Sequence, residues 1–367
     1  MFVPERLTAA RKRRGLTITA LSGLAGLSTK SVSDFENSKK VPSSETVNRL
    51  SDALQVPAAY FERPVLDELP AAAASFRAPS KMAAKTRDMA LSVASHSIEL
   101  RRWIDRNYAT PEADIPTLHK HVGVDDAAAA AAIVRARWGL GEAPLGNMVH
   151  LLELHGVAVF SIKAEKGEFD AFSFRDNGRP FVLLSTTKSA ERGRFDAAHE
   201  LGHLVLHGEA AASTGLEAER EADAFASAFL MPEADVRANM SQNSSVETII
   251  RKKRRWGVAA IALAYRLHDL GMLSDWLYHT TCVNLSRRGY RSGEPDGMDR
   301  ESSKLLSLVI ADLWSSRGGF ERLRQDLALT DQDINDLIFG LAPVAVAGNA
   351  EKSPPKRPDL QLVHSSN

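Results

Sequence analysis

The run Phe195-Asp196-Ala197-Ala198-His199-Glu200-Leu201-Gly202-His203 carries two imidazoles and a carboxylate at a spacing that builds a hydrolytic metal site. Residues four apart share a helix face, so His199 and His203 can reach one ion. Glu200, beside the first histidine, stands where a carboxylate can take a proton from a water polarised by that ion. Zinc is the cofactor this donor set suits, and peptide hydrolysis is the matching chemistry. Ala197, Ala198, Leu201, Leu204 and Val205 flank the histidines, which predicts a buried helix rather than a solvated one. Core histidines satisfied by backbone carbonyls are the plainer alternative.

Catalytic zinc takes three protein ligands and leaves a position open, so a third ligand is needed. The next acidic cluster is Glu217-Ala218-Glu219-Arg220-Glu221-Ala222-Asp223. Its apolar positions Ala222, Phe225, Ala226 and Phe229 recur at helical spacing, and Met231-Pro232 ends the helix. Residues 208–214 supply the connecting turn, with Gly208 closing the first helix. Glu219 and Asp223 share a face, whereas Glu221 points roughly 160° away from Glu219. Glu219 is therefore the expected third ligand, and Asp223 the acid that holds the other N–H of one histidine. Glu221 is the alternative ligand, although an exposed charged face accounts for it and Glu217 equally simply. The Glu-x-x-x-Asp pair resembles that of thermolysin-like zinc peptidases. His207, Tyr265 and Arg266 are candidates to stabilise the developing oxyanion, and spacing does not choose among them. His207 also fits a core or helix-end role.

These residues need a scaffold, and 367 residues allow two or three domains. Lys+Arg and Asp+Glu balance at 46 each, so any nucleic-acid surface must be local. Cys282 is the single cysteine, which excludes an internal disulfide and a cysteine-built zinc site and suits a reducing cytoplasm. The charged N-terminus and the lack of a long apolar run predict a soluble cytoplasmic protein with no membrane partner.

Residues 1–62 read as a helical unit. Thr17 and Ser28 can cap two short helices joined at Gly26, the helix-turn-helix pattern. The segment holds nine Lys+Arg against six Asp+Glu, net +3. Thr29, Lys30, Ser31 and Ser33, at the start of the second of these helices, are candidate DNA contacts, with Arg11 and Arg13 from the block Arg11-Lys12-Arg13-Arg14. An oligomerisation or peptide-binding module is the alternative. The segment resembles the Cro/repressor-type family at Leu21, Gly26-Leu27-Ser28, Val32-Ser33, Phe35-Glu36 and Pro42. It departs at Ile18 and Ser38. A homodimer suits such a module, since two-fold operators pair half-sites.

Further along, residues 63–80 read as a linker. Helices are expected at 85–107, 125–138 and 147–155, then three short strands near 157–162, 171–174 and 181–184. An edge strand there could pair with an extended substrate backbone. One or two helices follow over 245–270, with Arg251-Lys252-Lys253-Arg254-Arg255 exposed on one face. The expected architecture is mainly α with a small β-sheet: a helix-turn-helix bundle, a thermolysin-like zinc-peptidase domain over 81–270, a helical region over 271–342 and a disordered tail over 343–367.

Over roughly residues 4–280 the chain resembles ImmA/IrrE metallopeptidases fused to a Cro/repressor-type (XRE) helix-turn-helix. The matching residues are Trp138-Gly139-Leu140-Gly141, the run Phe195 to His203, and Glu219 to Ala226 with Leu230-Met231-Pro232. The resemblance implies a DNA-binding regulator that cleaves a repressor or antitoxin-like protein in a stress or mobile-element response. The alternative is a non-catalytic regulator, or an antitoxin-like protein, that uses the same fold as a sensor or partner-binding platform.

Overall fold

Helices predominate in the computed structural model, which describes residues 1–67, 69–70, 74–75, 83–118, 124–163, 170–208, 215–291 and 293–340. The architecture is mainly α with one three-stranded sheet, as expected. The tail 343–367, much of the 63–80 linker and the turn residues 209–214 lie outside the described residues. Two compact units divide the chain. Met1–Ala71, Met82–Pro111 and Lys304–Asn367 make one, and Ala72–Lys81 with Glu112–Ser303 make the other.

The first unit begins with α1 (Pro4–Arg13), α2 (Ile18–Ala25), α3 (Thr29–Glu36) and α4 (Ser44–Leu54). Thr17, Ser28 and Ser43 each accept a hydrogen bond from a backbone N–H of the helix they cap. Gly26 takes the left-handed conformation (φ 61°) that the turn between α2 and α3 demands. Leu7, Leu21, Val32, Leu50 and Leu54 are fully buried among these helices.

Helix α5 (Ala84–Asn107) packs on α1, so it belongs with the N-terminal helices and not with the domain expected over 81–270. Buried Arg6 makes a bidentate pair with Glu99 of α5, at 3.0 and 2.6 Å. The expected C-terminal region over 271–342 is likewise split. Its last helices, Lys304–Ser315, Gly319–Leu327 and Asp331–Leu337, join the first unit. Trp103 Nε1 and Tyr108 Oη donate to Asp326 and Asp312, each at 2.8 Å. Sequence distance hides such contacts, because they join segments more than 200 residues apart.

The second unit holds α6 (Val124–Arg137), α7 (Met148–Leu154), β1 (Ala158–Ile162), β2 (Ala171–Asp176), β3 (Arg179–Ser185), α8 (Ala190–Leu206) and α9 (Leu216–Leu230). It continues with α10 (Glu233–Asn239), α11 (Val246–Lys252), α12 (Ala260–Asp269) and α13 (Asp275–Arg287). The sheet runs β1-β3-β2, with β1 parallel and β2 antiparallel to β3, so β2 is an edge among the described residues. Asn177-Gly178, both at positive φ, form the two-residue hairpin turn between β2 and β3. Helix α8 packs against β2 and β3 and also against α9.

The Trp138-Gly139-Leu140-Gly141 stretch has a structural role. Trp138 stacks on His155 with ring centroids 3.9 Å apart and meets Phe229 edge-on. Arg135 donates to the carbonyls of Gly141, Ala143 and Phe229, which ties this turn to the end of α9. Arg251, Arg254 and Arg255 of the basic run are exposed as expected, but Lys253 is not. Lys253 is buried between Glu191 (3.1 Å) and Glu294 (2.9 Å), and Arg255 pairs with Asp235.

Candidate metal centre

Helix α8 is anchored at its start before it presents any donor. Ser189 caps it, and buried Arg194 pairs with Glu301 and donates to Leu145 O at 2.8 Å. Further along, Gly202 lets α9 approach closely. A Cβ there would lie 3.2 Å from both Ala222 Cα and the Phe225 ring. That approach brings Glu219 over the two imidazoles.

His199 Nε2 and His203 Nε2 lie 3.0 Å apart. Glu219 Oε2 is 3.6 Å from the first and Glu219 Oε1 3.5 Å from the second. Among the described residues, His199, His203 and Glu219 form a group whose ligand atoms all fall within 4.8 Å of one another. Ligand atoms on one tetrahedral zinc sit about 3.3 Å apart, given Zn–N distances near 2 Å, so the trio fits the ion.

The outer partners orient the rings. Asp223 Oδ1 lies 2.8 Å from His199 Nδ1, so that nitrogen carries the proton and Nε2 keeps its lone pair. His203 Nδ1 lies 2.9 Å from His207 Nδ1, and His207 Nε2 lies 2.9 Å from Glu221. A carboxylate accepts only, so His207 Nε2 donates to Glu221 and His207 Nδ1 accepts from His203. His203 Nε2 is then also a lone pair. Two lone pairs 3.0 Å apart repel unless a cation or proton lies between them.

Without an ion, a proton takes the place between the rings. Burial opposes charge on His199, but hydrogen bonds to Asp223 and Glu219 and the charge of Glu200 outweigh it, so its pKa is pushed up to about 10. Burial likewise acts to raise Glu219, yet the two histidines hold its carboxyl well below the usual range. Burial pushes His207 below its ordinary value against the pull of Glu221, which keeps it neutral for its place between His203 and Glu221.

Glu200 is buried on the same helix. Its Oε2 accepts from Ser173 Oγ on β2 at 2.7 Å and from Ser75 Oγ at 2.9 Å. Neither serine stands out in the sequence, since each is remote from the histidines and carries no spacing signal.

Several expected roles do not match these positions. Glu221, the alternative ligand and expected surface residue, is buried and engaged by His207. His207 is occupied on both nitrogens, so it is not poised as an oxyanion donor. Arg266 is buried and bound to Met231 O and Asp269, which turns it away from that role. Tyr265 is half-exposed and lines, with Asp223, Arg220, Phe195 and Tyr278, a cavity of about 550 Å³.

In the first unit, Thr29 and Lys30 are exposed at the start of α3, with Ser31 and Ser33 half-buried beside them. Arg11 and Arg13 are not available as the sequence suggested. Arg11 makes a bidentate pair with Glu36 at 2.6 and 2.9 Å. Arg13 is buried against Asp333 and donates to its carbonyl at 2.9 Å. The acidic partners of this charged block, Glu36 and Asp333, lie elsewhere in the chain.

Residues 152–268, from the end of α7 to α12, match the peptidase family described as IrrE N-terminal-like domain. Residues 7–61 match the family described as helix-turn-helix. The chain joins a helix-turn-helix domain to an IrrE N-terminal-like domain. It is thus a DNA-binding regulator with a peptidase-family domain, as the motifs led us to expect. The helix-turn-helix implies DNA as a partner, and the peptidase domain implies a protein substrate. No curated protein matches the chain. Among the described residues, no helix is long and apolar enough to cross a membrane.

Proposed function

We propose that the protein is a zinc-dependent endopeptidase carried on a DNA-binding module, acting on a repressor or antitoxin-like protein in a stress or mobile-element response. The observation that supports it is the pair of Nε2 lone pairs facing Glu219, backed by Asp223 and by His207 with Glu221. His199, His203 and Glu219 would hold the ion. Zinc, when bound, supplies a Lewis acid for a peptide carbonyl and for water. Glu200 holds the proton removed from the attacking water and passes it to the leaving amine. Ser173 fixes the carboxylate for that transfer. Tyr265 remains the candidate for the oxyanion.

On the DNA side, Thr29, Lys30, Ser31 and Ser33 would face the groove, and a homodimer would span two half-sites about 34 Å apart. Purified protein loaded with zinc, incubated with the products of adjacent genes, should release discrete fragments that Glu200→Gln abolishes. Intact neighbours in the presence of bound zinc would count against the reading.

The second reading, a regulator that binds a partner through this fold without turnover, draws support from the Ser75 hydroxyl on Glu200. It predicts that Glu200→Gln leaves regulation intact in the cell.

A further inference from the structure

Strand β2 is a sheet edge, and an open edge is a template for another extended chain. Part of it is already taken. Ser75 N–H donates to Ser173 O at 2.9 Å, and Ser173 N–H donates to Ser75 Oγ at 2.9 Å. The Ser75 hydroxyl also lies 2.9 Å from Glu200 Oε2. Ala74, its neighbour, is 4% exposed.

Covering an edge would need backbone pairing alone. Here a side chain continues past the edge to the candidate general base. Ser75 and Ser173 both donate to one oxygen of Glu200, so a residue from far upstream shares the carboxylate on which the proposed hydrolysis depends. Ala74 and Ser75 belong to the peptidase-bearing unit, whereas the chain before and after them, 1–71 and 82–111, belongs to the DNA-binding unit.

We infer that the Ala74–Ser75 segment is a built-in occupant of the β2 edge, an internal strap that excludes an extended polypeptide from Glu200 until it is displaced. The inference rests on the peptidase reading for its consequence, but the pairing itself does not.

A double variant, Ser75→Cys with Ser173→Cys in a Cys282→Ser background, tests the pairing directly. The two hydroxyls lie 2.9 Å apart, so mild oxidation should close a disulfide, read by mass spectrometry. In a separate variant, Ser75→Pro removes both the N–H and the hydroxyl. Hydrogen exchange at the Ser173 amide should then accelerate at least tenfold over wild type. With zinc bound, Ser75→Pro should cleave denatured β-casein at least tenfold faster than wild type.

Failure of the disulfide to form, together with unchanged exchange in Ser75→Pro, overturns the strap whatever the activity. Equal casein cleavage by Ser75→Pro and wild type overturns its blocking role. If the disulfide forms and neither Ser75→Pro nor wild type cleaves casein or a neighbouring gene product with zinc bound, the pairing stands and the peptidase reading falls.

Discussion

His207 accepts a hydrogen bond from His203 at 2.9 Å and passes its own proton towards Glu221, also at 2.9 Å. The pair His203 and His207 repeats on α8 the four-residue spacing of His199 and His203, so three imidazoles line one face of the helix. The first two turn lone pairs inward, and the third sets the tautomer of the second.

Removing that third ring should loosen the site without touching a ligand. His207→Ala leaves His203 Nδ1 without its partner, and outer partners of metal-bound histidines are worth about 10–100-fold in metal affinity. Glu221→Gln should weaken zinc less, since a glutamine oxygen can still accept from His207. Competition against a chromophoric chelator measures both. An unchanged zinc affinity in His207→Ala would remove the orienting role.

Gly202 sets how closely α8 and α9 approach. A methyl group there meets the backbone of Ala222 at 3.2 Å, which cannot swing aside as a side chain would. Gly202→Val should therefore cost about 1–3 kcal/mol in stability. It should also lower zinc affinity by moving Glu219 away from the histidines. Urea unfolding paired with metal titration separates the two effects, and full zinc affinity with intact stability would refute the close-packing argument.

The parts of this site that were legible in the sequence are those that helix geometry alone positions. His199, Glu200 and His203 follow from one helix, and Glu219 and Asp223 from the shared face of a second. The link from His207 to Glu221 was readable in principle, because His203 and His207 repeat the same spacing. Ser75 was not, since it lies 125 residues from Glu200 and is brought there by a backbone hydrogen bond to Ser173. Arg11 and Arg13 misled for the same reason. Charge is visible in a sequence, whereas the acid that neutralises it, Asp333 in the case of Arg13, is visible only after folding. The three strands were legible by alternation and turn residues, but not the grouping of α5 with α1.

Asp333 should matter more for stability than its place near the C-terminus suggests. Burial alone would raise its pKa, but Arg13 and Arg14 outweigh burial and hold it below the usual carboxylate value. Its folded pKa is thus below the unfolded one. The stabilisation is complete above the unfolded value near 4 and disappears as pH falls through the folded value. At pH 7, Asp333→Asn leaves Arg13 buried without its counter-charge, which costs about 3–5 kcal/mol. Hydrogen exchange in α1 should report that loss, and the difference from wild type should shrink as pH drops below about 4. A difference that persists unchanged into acid would point to packing rather than charge.

Lys30 and Arg11 should separate DNA contact from fold support. Lys30 is exposed at the start of α3, where a cation can neutralise a phosphate, whereas Arg11 is spent on Glu36 and the carbonyl of Leu16. Lys30→Ala should weaken binding to any duplex and reduce the slope of log affinity against log salt by about 1, with no change in thermal stability. Arg11→Ala should do the reverse. It should lower stability, because it leaves a half-buried Glu36 without its bidentate partner, and the salt slope of the folded fraction should stay as in wild type. Fluorescence anisotropy across a salt series, read beside thermal melts, tests both variants. A reduced slope in Arg11→Ala would return that residue to the DNA surface and break the assignment of the Arg11–Glu36 pair to the fold.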